Sequence, residues 1–348
     1  MGKLLSKSTS NNDRYSSMPH HTGVTPSQST VESDTFRQFE QVHSDAVNSV
    51  SAISPGVCLS GSKDKSVLLY DYNTGVVQQV WNGHDKEVTK VAYNNDLHTV
   101  FSASRDKTVK LWQANQISPV KTLTGHELVV TALSLNSDNT RLCTGSRDNS
   151  LRLWDIHTGS CTLQNAITRN LVTDIKWGKN SHQLVSSSED KEVRIWDSRT
   201  LQVSHSFPRK QYIQTSCDIS DDLNYCISSS NGFGGNGCET TLWDMRTLSI
   251  VHEYQGHGET VGSCIFMPSI ANRNLVATTS NDCSIRVWDR DSAKCLCYCV
   301  IPGSGPLTSV SSYPDGRLAV GSFNLGVHIF DFHCGAGGTF SLERKAQY

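Results

Sequence analysis

The sequence predicts an all-β fold: a seven-bladed β-propeller of four-stranded blades around a common axis, with an N-terminal strand closing the last blade and a disordered tail ahead of it. Three observations predict it. An aromatic residue closes a run of alternating apolar residues seven times, at Tyr70, Trp112, Trp154, Trp196, Trp243, Trp288 and Phe330, and in six of the seven the next residue is Asp. The intervals between them are 42, 42, 42, 47, 45 and 42 residues, and a fixed period in the forties marks small sheets repeated about an axis. Apolar and polar residues alternate with period two between Gly, Asn and Asp clusters, the pattern of half-buried strands joined by turns. One such sheet cannot bury both of its faces. Neighbouring repeats must therefore stack into one domain, residues 35–334, whose free surfaces are loops.

Repeat three shows the plan. Gly125-His126 precedes a strand centred on Val130, Ala132 and Leu133, and the polar turn Asn136-Ser137-Asp138-Asn139 leads to a second strand ending at Thr144. Ser146-Arg147-Asp148-Asn149 turns the chain into Leu151-Arg152-Leu153-Trp154, and Asp155 to Gly159 turn it outward again. Over about residues 35 to 334 the chain resembles the WD-repeat family in all seven registers.

That resemblance implies a buried hydrogen-bonded chain in each blade, from a Trp through a Ser or Thr hydroxyl and a His to an Asp. Its members match as His84, Ser102, Asp106 and Trp112; as His126, Thr144, Asp148 and Trp154; and as His257, Thr278, Asp282 and Trp288. His43, Ser60 and Asp64 match with Tyr70 in place of Trp. Repeat four keeps Ser186, Asp190 and Trp196 with Thr168 at the His position, while Arg209 and Gly303 hold that position in repeats five and seven, which lack the set. Alone, Ser102, His84 and Asp106 have the residue types of a hydrolase triad. A nucleophile is needed once, whereas this constellation recurs in four repeats, so it reads as structure: buried polar groups that satisfy one another and fix the turns.

The two longer intervals have locatable causes. The five extra residues of repeat five fall within Asn231-Gly232-Phe233-Gly234-Gly235-Asn236-Gly237, and the three of repeat six near Ser269 to Asn274, at the opposite end of the blades. The glycines around Phe233 predict a mobile loop, in which Phe233 either folds back on the adjacent blade or anchors a partner. After Phe330-Asp331 no well-formed fourth strand is expected. Residues 335–348 read as a C-terminal tail, or alternatively an eighth partial blade from Gly337 to Leu342, and Phe36 to Val42 as the strand that completes the last blade.

A net charge of −2 and a pI near 6.7 leave no electrostatic footprint for nucleic acid. No run of eighteen apolar residues occurs, and Met1 to Asn12 lacks the apolar core of a secretory signal. The twelve cysteines lie between Cys58 and Cys334 and read as reduced core residues of a cytoplasmic protein. Cys295, Cys297 and Cys299 alternate along one strand but lack the paired turn ligands of a metal site, so no metal is expected.

Residues 1–34 hold twelve Ser or Thr and no periodicity, the composition of disorder. They begin Met-Gly-Lys-Leu-Leu-Ser-Lys, in which Gly2 and Ser6 fit the N-myristoylation pattern. One myristoyl chain supplies about 5.5 kcal/mol of membrane affinity, and Lys3 and Lys7 add about 1 kcal/mol each on an anionic leaflet. Attachment is expected to be reversible.

No phosphate-binding loop, acid pair or metal cluster stands apart from the repeats, so no catalytic residue, cofactor or small-molecule substrate is assigned. A non-catalytic scaffold or adaptor that binds other proteins is the expectation, since loops on a rigid ring offer several binding faces. The candidate contacts at the Gly-His end are Lys63, Arg105, Arg147, Arg209, Lys210 and Phe233, with an acidic peptide as one ligand for the cations. The family resemblance implies a ciliary, cytoskeletal or signalling assembly. The alternative comes from Trp196-Asp197-Ser198-Arg199 and Trp243-Asp244-Met245-Arg246, which resemble the motifs by which substrate receptors dock on cullin-4 ubiquitin ligases through the DDB adaptor. Arg199 and Arg246 would then supply the contacts.

Overall fold

A computed structural model describes residues 36–167, 169, 171–270, 272–335 and 338–348. The Ser/Thr-rich tail with Gly2, and Thr168, lie outside these residues. Seven sheets follow one another along the chain, each a meander running from an inner to an outer strand. Blade one comprises Val47–Ser54, Val57–Ser62, Ser66–Asp71 and Val76–Asn82, and blade three comprises Val130–Leu135, Arg141–Ser146, Ser150–Asp155 and Cys161–Ala166. The innermost strand of each blade contacts the innermost strand of the next, and that of blade seven contacts that of blade one, so the ring is closed.

The core lies between blades rather than inside them. One cluster joins Ala132, Cys143, Leu151 and Leu153 of blade three to Val172, Ile175, Leu184 and Trp196 of blade four. This is how sheets too small to bury both faces become stable: each face is covered by the neighbouring repeat.

A second tie runs around the ring. The second residue of every innermost strand sits in a β-bulge, at Asn48, Thr89, Thr131, Thr173, Thr215, Gly262 and Thr308. A bulged residue leaves the two-sided alternation of its strand. Six of these side chains donate across to the next blade: Asn48 Nδ2 to Val88 O (2.7 Å), Thr89 to Val130 O (2.5 Å), Thr131 to Val172 O (2.6 Å), Thr173 to Gln214 O (2.7 Å), Thr215 to Val261 O (2.6 Å) and Thr308 to Val47 O (2.5 Å). Gly262 is the exception. A Cβ there would lie 2.8 Å from Leu307 O, so blades six and seven approach too closely for a side chain.

Ring closure differs from the sequence expectation. The outer strand of blade seven is Phe340–Gln347, which pairs antiparallel with Val327–Cys334. The expected C-terminal tail, 335–348, therefore belongs to the propeller, with neither an eighth blade nor a missing strand. The N-terminal segment does reach blade seven, but as a fifth, outermost strand of two residues, Arg37–Gln38, parallel to Ala346 and Gln347. Continuous chain fills the blade, and the N-terminal segment caps its edge.

Candidate interaction site

The Gly-His end of the ring is built on the polar sets. In blade two, Trp112 Nε1 donates to Ser102 Oγ (2.8 Å), Ser102 Oγ lies 2.7 Å from His84 Nε2, and His84 Nδ1 lies 2.7 Å from Asp106 Oδ2. All these groups are satisfied at once by a neutral His that carries its proton on Nδ1 and accepts the serine hydroxyl at Nε2. Asp106 also accepts the backbone N–H of Asp85 and of Thr108 (3.1 and 2.9 Å), stitching the two turns together. Burial alone would raise its carboxyl, but the hydrogen bonds from His84 and Thr108 outweigh that and hold it well below the usual carboxylate range. The sets of blades three and six have the same geometry, with Thr144 and Thr278 as the hydroxyls. Blade one keeps His43, Ser60 and Asp64, but the Tyr70 hydroxyl has no partner. Ser102 and Thr144 in these sets are fully buried.

Two blades rebuild the set with other residues. In blade four Trp196 donates to Ser186 Oγ (2.8 Å), and buried Arg194 binds Asp190 (2.6 Å). In blade five Trp243 donates to Ser228 Oγ (2.9 Å) and Ser228 donates to Gln214 Oε1 (2.7 Å), so a fully buried glutamine does the work of the missing His. Blade five, read from sequence as lacking the set, thus retains half of it.

Above this base stands the inserted loop. Phe233 and Asn236 exchange backbone hydrogen bonds of 3.0 and 3.2 Å, and Gly234 and Gly235 between them have φ of +59° and +81°. That is a two-residue hairpin of the type that needs positive φ at both central positions, which glycine supplies. The loop does not swing free as expected. Gly235 N donates to Gly258 O (2.8 Å), Thr260 Oγ1 donates to Gly232 O (3.0 Å), and Phe233 bridges Glu259, so blade six holds it. Phe233, the residue that opens this turn, is 79% exposed.

The basic candidates at the same end do not form a free cationic patch. Arg105 pairs with Glu87 (3.1 Å) and Arg147 with Glu189 (2.5 Å). Arg209 donates to Asp190 O (3.1 Å), and Lys210 is held by Glu253 (2.6 Å) and Glu239 (3.3 Å). Lys63 lies over the Phe323 ring, 4.3 Å from its centroid. The acidic-peptide expectation gains nothing from this arrangement.

At the opposite end, Arg199 and Arg246 take the same pose on adjacent blades. Each returns to the Asp two residues earlier, at 2.6 Å to Asp197 and 2.8 Å to Asp244, with side chains 65% and 60% exposed. These bonds bring both carboxyls down to about 2. Cys297 is buried and Cys295 and Cys299 half-buried, and burial pushes all three thiols up. Among the described residues no group of three His, Cys, Asp or Glu could hold a metal ion.

Sequence reasoning missed the channel along the axis. Lys90 of blade two reaches past blade three to Asp174 of blade four (2.9 Å), and Lys176 faces Asp218 of blade five (3.7 Å). Burial raises the Asp218 carboxyl despite Lys176. These charges alternate along strands with no motif, so only the ring brings them together.

Comparison with known proteins agrees with this geometry. The family described as WD domain, G-beta repeat, matches residues 35–71, 75–113, 117–155, 160–197 and 248–289. The three inner strands of blade five, within 214–244, and the four strands of blade seven from Leu307 to Gln347 lie outside the matched stretches. Among solved structures, the crystal structure of the WD40 beta propeller domain of Doa1 aligns with a TM-score of 0.74 at 22% identity. The alignment covers 83% of this chain and 94% of that one, a likeness of fold.

Proposed function

The chain belongs to the WD40 family of G-beta repeat proteins, and from that premise we propose that it is a non-catalytic scaffold for other proteins, held reversibly at a membrane by a myristoyl chain on Gly2. One observation carries the scaffold reading: Phe233, 79% exposed, stands on a hairpin that the next blade already holds. An aromatic anchor commonly carries about 2 kcal/mol or more of an interface. A tied hairpin loses little freedom on binding, so more of that energy remains as affinity. Phe233→Ala is expected to lose a specific partner in affinity purification while melting within a degree or two of wild type. A clear drop in melting temperature with an unchanged partner set would make Phe233 a folding residue.

The membrane reading rests on Gly2, Ser6 and Lys7 of the N-terminal segment. Attachment by one chain is weak, so residence at one membrane requires a protein partner too, consistent with a ciliary, cytoskeletal or signalling assembly. Metabolic labelling with a myristate analogue and membrane flotation of wild type against Gly2→Ala test it. Equal flotation of the two proteins would remove the tether.

A second reading is favoured by the matched poses of Arg199 and Arg246, both largely exposed at one end of adjacent blades. On this reading the chain is a substrate receptor of a cullin-4 ligase. Arg199→Ala with Arg246→Ala should then abolish co-precipitation of the ligase adaptor without unfolding the ring. Absence of the adaptor from the wild-type precipitate would retire it.

A further inference from the structure

We propose that Ser118 is a phosphorylation site for a proline-directed serine/threonine kinase that prefers a basic residue three positions after the acceptor. The connection between the third and outer strands of blade two reads Ile117-Ser118-Pro119-Val120-Lys121. The chain has three Ser-Pro or Thr-Pro pairs, at Thr25, Ser54 and Ser118, and the third residues after them are Gln28, Val57 and Lys121. Only Ser118 has the cation.

Structure separates the sites further. Ser54 is paired with Val57 in the hairpin of blade one, so its backbone belongs to a ladder. Ser118 is exposed, and among the described residues neither the backbone nor the hydroxyl of Ile117 or Ser118 makes a hydrogen bond, nor does the Pro119 carbonyl. The free stretch is bounded by firm anchors: Trp81 Nε1 donates to Gln116 O (3.0 Å) and Val120 N donates to Leu111 O (2.8 Å). A kinase binds its acceptor segment extended, and here residues 117–119 can be drawn out without breaking bonds of the fold, while engaging Lys121 exchanges its two hydrogen bonds to blade three for a contact with the kinase. Pro119 carries no N–H to be left unpaired in the apolar site that such kinases present to that residue.

The Lys121 ammonium donates to the carbonyls of Ile156 (3.2 Å) and His157 in blade three. Both are neutral acceptors, and among the described residues no carboxylate pairs with it. Its charge is therefore unspent. In the reaction Ser118 Oγ attacks the γ-phosphorus of Mg-ATP. The Oγ–P bond forms as the bond to the bridging oxygen breaks, ADP leaves, and the hydroxyl proton passes to the kinase's catalytic aspartate.

The location gives the modification a consequence. The loop borders a cleft of about 510 Å³ between blades two and three, whose walls include Leu97, Leu111, Val120 and Ile156. Ile117, Leu97 and Val120 are 77%, 53% and 45% exposed. A phosphoserine adds a charge of roughly −1.5 to −2 at pH 7. Phosphorylation therefore adds negative charge at the rim of a cleft whose lining already sets Asp96, Asp138 and Asp155 beside these apolar side chains.

The test uses the folded full chain, Mg-ATP and a kinase of the cyclin-dependent class, with the site read by peptide mass spectrometry. Expected is a phosphoryl group on Ser118, absent in Ser118→Ala. The rate should fall about tenfold in Lys121→Ala and recover in Lys121→Arg, as loss and return of a charge contact predict. Modification of Ser118 in a synthetic peptide spanning 112–124 but not in the folded chain would overturn the site. A rate unaffected by Lys121→Ala, with unchanged melting, would overturn the kinase class.

Discussion

The Tyr348 ring lies face to face with the Tyr70 ring, centroids 3.6 Å apart and planes 17° apart, across the seam between the last blade and the first. Tyr70 stands where five of the other six blades have Trp, and Trp112, for example, donates its indole N–H to Ser102. The smaller ring leaves room for a second aromatic, and Tyr348 fills it, buried among residues that include Tyr313 and Cys58. Phe39 meets Tyr70 edge-on at 6.2 Å, so the N-terminal segment covers the same place from outside. The substitution that spoils the polar set of blade one therefore makes the ring's closing contact.

The seam predicts unequal truncations. Removal of residues 340–348 deletes the outer strand of blade seven and the Tyr348 ring together, exposing an eight-residue edge. Loss of cooperative melting or aggregation is expected. Removal of residues 1–42 deletes the two-residue cap, the packing of Phe39 and Val42, the Arg37 bond to Asn73 O and the Phe36–Arg344 contact, but no strand of the seven four-stranded meanders, and should leave a folded ring of lower melting temperature. Tyr348→Ala alone should cost about 3 kcal/mol, as for a buried aromatic. Identical melting of the two truncations would contradict this account of closure.

The polar sets predict that blades differ in sensitivity. Asp148→Ala strands the His126 Nδ1–H and the N–H of Glu127, both of which Asp148 now accepts, at about 1–3 kcal/mol. Asn324→Ala, in blade seven, removes one exposed bond of 3.2 Å to Gly303 O and should cost under about 0.5 kcal/mol. Chemical denaturation of both variants decides it, and equal losses would deny the sets their structural role.

Much of this is legible in the sequence. Trp, Ser or Thr, His and Asp recur at a constant register, because a buried chain of donors and acceptors tolerates few alternatives. Gln214 was not legible: it replaces His from the start of the innermost strand, five residues beyond the Arg209 slot in the preceding connection. The interblade ties were present in sequence as Val88-Thr89, Val130-Thr131 and Val172-Thr173, but a Thr after Val is also ordinary strand sequence. The outer strand of blade seven was hidden because Glu343-Arg344-Lys345 breaks the alternation and Gly335 to Gly338 read as an ending. Outer strands face water, so pairing rather than patterning defines them.

Acid sensitivity should begin above the carboxylate range. Burial brings the His328 imidazole down from 6.5 to about 3, with the Arg344 cation adding to the effect, and burial also lowers His257. His328 lies 3.1 Å from Ser322 Oγ through Nε2, and its Nδ1 has no partner. Between pH 6.5 and about 3 the unfolded chain binds the proton that the folded chain refuses, so stability is full above 6.5 and falls as pH drops. One such group contributes a slope of at most about 1.4 kcal/mol per pH unit. Melting of wild type from pH 7 to 4.5 should show the decline, and His328→Gln should flatten it. A variant that declines as steeply as wild type would place the acid sensitivity elsewhere.

The hairpin beneath Phe233 allows its shape to be tested apart from its side chain. Gly234 and Gly235 have positive φ and nothing within 4 Å of where a Cβ would lie. A side chain added there meets only backbone strain, about 1–2 kcal/mol per residue for a β-branched substitution. Gly235→Val should relieve that strain by opening the turn, and with it the hydrogen bond from Gly235 N to Gly258 O. The ring below is held by the bulge ties and the inter-blade core, so global melting should move by no more than a few degrees. Phe233 would remain in the chain but lose its fixed position. If the anchor works because it is held in place, Gly235→Val should weaken the Phe233-dependent partner nearly as much as Phe233→Ala does. Undiminished binding in Gly235→Val would mean that the partner recognises the ring in any loop conformation and that the hairpin contributes nothing to recognition.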